Sequence, residues 1–106
     1  MIHLRKLNIK NPHAKKRLFE RYGINGDNEF FGRCLNMILT RRACLETRHT
    51  NTKYIYSFLL DGIKFYVVYH IKNRIIITFL TKEMFEETLQ KTKNKYLADY
   101  FKTETC

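Results

Sequence analysis

The 106-residue sequence has no tryptophan, one proline and four glycines, so nothing in it reads as a proline-rich spacer, a glycine-rich linker or a low-complexity tract. It also lacks an internal repeat. Its three cysteines, Cys34, Cys44 and Cys106, are an odd number with no CxxC pair or Cys/His cluster. They signal neither a disulfide framework nor a zinc site, and are expected as reduced thiols. No apolar run approaches the roughly 18 residues of a membrane span. The first ten residues, MIHLRKLNIK, alternate apolar and polar where a secretory signal needs a continuous apolar stretch. The expectation is a soluble cytoplasmic protein without membrane association, made without an export signal. Acidic residues are scarce too, with 10 Asp+Glu against 20 Lys+Arg.

That imbalance gives a formal net charge of +10 and a pI near 9.7. Such a field concentrates polyanions and speeds their capture, RNA or DNA first and an acidic protein surface next. The basic residues are scattered, with no block of five or more, so the charge belongs on a folded surface rather than a disordered arm. A hydrophobic content of 44%, with 14% aromatic, is enough for one core, and residues 1–106 read as a single domain.

The fold class expected is α+β: two N-terminal helices, a three- to four-stranded antiparallel sheet and a C-terminal helix. Asn11 and Pro12 make a helix start and Gly23 a stop, so the first helix spans about Pro12 to Tyr22, with Ala14, Leu18, Phe19 and Tyr22 as its apolar stripe. Asp27 is the expected N-cap of a second helix that buries Phe30, Phe31, Cys34, Leu35, Ile38 and Leu39. The runs ACLETRH, KYIYSFLL, IKFYVVYH and RIIITFL then change to strand-like composition, and Asp61-Gly62 is a hairpin signal. From about residue 82 to 102 helical spacing returns, with Met84, Phe85, Leu89, Tyr96, Leu97 and Tyr100 as candidate buried positions.

Within the first helix, His13, Arg17 and Arg21 stand four residues apart and share one stripe beside the buried face. Like charges at that spacing repel unless something anionic answers them. Imidazole titrates near neutral pH and a guanidinium fork matches two phosphate oxygens, so the row fits work on a phosphate. In the last strand, plain alternation sorts Arg74, Ile76, Thr78 and Leu80 to one face and Ile75, Ile77 and Phe79 to the other.

The segment HAKKRLFERYGI, followed by strands ending in GIKFYVVYHIKNRIIITFLT, resembles small domains of the barnase, EndoU, colicin and RelE (BECR) group of metal-independent RNase folds. It is most similar to a phage- or toxin-associated branch with an H-A-x-x-R-x-x-x-R-Y-G-I helix and an I-x-T-x-L strand. His13, Arg17 and Arg21 match the helix motif and Thr78 the strand motif, over roughly residues 11–81, leaving the C-terminal helix as an addition. The resemblance implies a metal-independent endoribonuclease, without cofactor or metal. His13, Arg17, Arg21 and Thr78 would carry the phosphate chemistry, and His70 is a candidate second acid or base. Lys15, Lys16, Lys53, Tyr54, Lys64 and Tyr66 are candidate nucleic-acid contacts, the tyrosines by stacking on bases. The alternative is a non-catalytic, phage-type protein using the same basic surface to bind RNA or inhibit a host nucleoprotein. An acidic inhibitor protein is a further candidate partner. Each site residue also has a plainer reading, with the helix row as a solvated face and Thr78 as a β-former.

Overall fold

The computed structural model describes residues 12–95, and the side chains of residues 12–91. Its elements are α1 (Pro12–Tyr22), α2 (Asn28–Leu39), β1 (Cys44–Arg48), β2 (Lys53–Leu60), β3 (Ile63–His70), β4 (Ile75–Leu80) and α3 (Lys82–Lys95). The strands form one antiparallel sheet in the order β1-β2-β3-β4. This is the expected α+β arrangement with all four strands present. The expected buried positions Tyr96, Leu97 and Tyr100 lie outside the described residues, as do the expected helix-start residue Asn11 and Cys106.

Local chemistry sets the boundaries. Gly23, with φ 70, ends α1 in the left-handed region that glycine enters without a Cβ penalty, and its amide donates to the Phe19 carbonyl at 2.9 Å. Asp27 caps α2 by accepting the Phe30 amide at 2.9 Å. Asp61 and Gly62, with φ 54 and 79, make the tight β2–β3 turn, the geometry for which Asp-Gly is favoured.

Two layers of side chains sandwich the sheet. On one face, Ala14 and Leu18 of α1 and Phe31, Cys34, Leu35 and Ile38 of α2 pack on Phe58, Leu60, Phe65, Val67, Tyr69, Ile76 and Phe79. Phe65 is the hub of its aromatic cluster, with ring centroids 4.8 Å from Tyr22, 5.7 Å from Phe30 and 5.9 Å from Phe79. On the other face, Phe85 of α3 packs with Ile55, Val68 and Leu80, flanked by Tyr66, Ile77, Met84 and Leu89.

Several expectations change here. Phe19 and Leu39, assigned to buried stripes, are each 60% exposed, because each lies at the margin of its helix's apolar arc and the sheet is already covered by the residues next to it. Cys34 is a buried free thiol, pushed up to about 12 by desolvation. Cys44, expected to be reduced, is disulfide-bonded. In β4 the pairing slips: Val68 faces Thr78 while Tyr69 faces Ile76, so the strand carries a bulge. Ile76 and Phe79 therefore join the α1/α2 layer, while Ile77 and Leu80 join the α3 layer. Simple alternation fails because one extra residue inverts the facing on either side of it.

Candidate functional site

α1 packs chiefly on β4, the last strand of the sheet. Its final residues meet the strand's C-terminal end. The Arg21 guanidinium donates to the Phe79 carbonyl at 2.8 Å, and the Tyr22 hydroxyl donates to the Leu80 carbonyl at 2.5 Å while accepting the Tyr66 amide at 3.3 Å. A phenol can do both at once, and burial pushes Tyr22 above its ordinary pKa, which keeps the donor proton in place at neutral pH.

Immediately after Leu80, Thr81 turns the chain into α3. Its hydroxyl accepts the Met84 amide at 3.1 Å and its carbonyl accepts the Phe85 amide at 2.9 Å. Three elements thus converge at one end of the sheet. They enclose an open groove of about 440 Å³ lined by Arg21, Tyr22, Lys64, Tyr66, Thr81, Lys82 and Glu83. Three cations face one carboxylate across it. Arg21 spends one donor on a neutral carbonyl, so its charge stays uncompensated by that bond. Lys64 and Lys82 make no ion pair among the described residues. The Tyr66 ring stacks on Phe85 at 4.6 Å and 19°, with the Lys64 ammonium 5.9 Å from its centroid. Its hydroxyl, pushed up first by burial and then by Glu46 and Glu86, remains a donor at neutral pH.

Of the residues singled out in the sequence, Arg21, Lys64 and Tyr66 meet in this groove. The others do not join them. His13 is exposed at the start of α1, about 12 Å along the axis from Arg21 at 1.5 Å per residue. Arg17 pairs with Glu20 of its own helix at 2.6 Å. Thr78 lies opposite Val68 in the α3 layer, whereas α1 packs on the other face, and its Oγ1 is enclosed without a hydrogen-bond partner. His70 stands at the far end of β3, about 13 Å from Tyr66 at 3.3 Å per residue. Its Nδ1 accepts the Asn73 amide at 3.2 Å. Lys53 pairs with His70 at that same distant end, and Tyr54 lies under the Arg48 guanidinium at 5.6 Å. Lys15 and Lys16 are exposed on α1.

The repulsion along the row is met from within: Arg17 has Glu20, and Arg21 has a carbonyl and a place in the last turn of α1, where the helix dipole favours a cation. Tyr22, Thr81, Lys82 and Glu83 were not expected as site residues. Tyr22 reads as core from its spacing. Lys82 and Glu83 follow a threonine N-cap, a signal for a helix start that says nothing of which strand lies beside it.

Among the described residues, no group of three or more His, Cys, Asp or Glu side chains could hold a metal ion, and no helix is long and apolar enough to cross a membrane. Compared with family models, with curated proteins and with solved structures, the chain gives no significant match.

Proposed function

We propose that this protein binds RNA by its phosphates, with Arg21, Lys64 and Lys82 as the principal contacts. The observation that carries the reading is the convergence of three cations from α1, β3 and α3 on one groove of a chain with net charge +10. Hydroxyls of Tyr66 and Thr81 supply neutral donors around the same space, suited to phosphate oxygens. The cations are held by rigid elements rather than loops, so their spacing is fixed before the ligand arrives.

A metal-independent endoribonuclease of the BECR type is the second reading. The sequence resemblance and the helix-on-sheet arrangement support it, together with the Glu83 carboxylate, a proton acceptor among three cations that suit a developing phosphorane charge. His13 enters such a site only if the RNA spans the length of α1.

The two readings separate in one experiment. Labelled single-stranded RNA is incubated with the protein in excess chelator, following binding by anisotropy and integrity by gel, beside a Lys64→Ala/Lys82→Ala variant. Binding of intact RNA that the variant loses establishes the first reading; chelator-resistant cleavage that Glu83→Gln abolishes establishes the second. Absence of binding at low salt removes both and leaves a protein partner for the basic surface.

A further inference from the structure

We infer that Phe19 is a stacking platform for an unpaired nucleobase, with Lys15 and Lys16 holding the flanking phosphates. The inference rests on the RNA-binding reading and names the form of RNA it requires. Phe19 is 60% exposed although it sits in the middle of a helix whose neighbours Ala14 and Leu18 are fully buried. On an α-helix, Lys15 and Lys16 are its i−4 and i−3 neighbours, so all three side chains share the solvent face of α1. Both lysines are exposed and neither has an ion-pair partner among the described residues, while the nearby Glu20 carboxylate is taken by Arg17. The result is one bare aromatic ring with two exposed ammonium groups about one turn before it. Neither is held in an ion pair among the described residues, and Lys16 feels the Glu20 carboxylate only at a distance.

That combination matches a single-stranded nucleic acid more closely than an apolar protein surface. A base offers a π-face to the ring and carries an anionic phosphate on each side, whereas an apolar partner would have to desolvate two ammonium groups without return. The backbone that carries the ring is fixed, because the Phe19 carbonyl accepts the Gly23 amide in the last turn of α1. Bases in a duplex are already stacked on one another, so this contact selects unpaired RNA. The groove tyrosines do not supply it: Tyr66 is stacked on Phe85 and Tyr22 is packed on Phe65.

The absence of tryptophan makes the test direct. In a Phe19→Trp variant the single indole reports stacking by quenching, while anisotropy of labelled oligoadenylate reports binding independently. Quenching by oligoadenylate, with none from inorganic polyphosphate or duplex RNA, is the expected result. Phe19→Ala should weaken oligoadenylate binding about 5- to 150-fold without changing its salt dependence, and Phe19→Trp should restore it. Binding by anisotropy with unaltered indole emission overturns the inference while leaving RNA binding intact. So does equal quenching by duplex, or a change in emission that follows protein concentration without RNA, which marks a second copy as the occupant. No binding in either channel removes the RNA reading and this one together.

Discussion

The hydroxyl of Tyr22 stands between Leu80 and Tyr66, donating to the carbonyl of the first at 2.5 Å and accepting the amide of the second at 3.3 Å. Tyr66 and Leu80 are a register pair, so the end of α1 is stitched into the terminal rung of the β3–β4 ladder. Tyr22→Phe keeps the ring on Phe65 and removes only the stitch. Its expected cost is about 1–2 kcal/mol in denaturant unfolding. RNA affinity should fall with an unchanged salt slope, since no phosphate contact is deleted.

Thr78→Val should be neutral or stabilising by about 1 kcal/mol, because the enclosed Oγ1 has no partner and the replacement is of similar shape. Calorimetric melting measures it. RNA binding should be unaltered. A loss of binding or cleavage without loss of stability would return Thr78 to the site.

Lys64→Ala and Lys82→Ala should each flatten the plot of log affinity against log salt by about 0.7 for single-stranded RNA. Arg17→Ala should flatten it less, since its charge already serves Glu20. Equal slopes for all three variants would move the phosphate contacts away from the groove.

The Arg33 guanidinium donates to both carboxylate oxygens of Asp61, at 2.7 and 3.0 Å, and holds that carboxyl below its usual range. A lowered folded-state pKa means that the pair's stabilisation is present above the ordinary aspartate pKa and disappears as pH falls through the lower folded value. Both groups are exposed, so the effect is small and screened by salt. Arg33→Gln should remove this part of the acid limb in a stability-versus-pH series at low salt, and high salt should shrink the difference from the parent.

Where a side chain acts on its own backbone neighbourhood, the sequence was readable. Pro12, Gly23, Asp27 and Asp61-Gly62 mark boundaries found in α1, α2 and the β2–β3 turn, because a proline start, capping and positive φ are local requirements. The site was less readable, since it depends on which ends of distant elements meet. Arg21, Lys64 and Tyr66 were noted for separate reasons and meet only because α1 ends against β4. Thr78 keeps Leu80 on its face as alternation requires, but a bulge that no residue type in RIIITFL announces moves Ile76 to the other. Phe19 has the same hydropathy as Phe31, yet only Phe31 finds a sheet position left to cover.

The grip of Arg21 on the Phe79 carbonyl also bears on assembly. Arg21 and Tyr22 engage the carbonyls of Phe79 and Leu80 at the end of β4, while no described strand pairs with the outer side of β1, which is five residues long and bulged between Leu45 and Thr47. A short, bulged edge is a poor template for a further strand, so β1 discourages edge-to-edge extension of the sheet rather than inviting it.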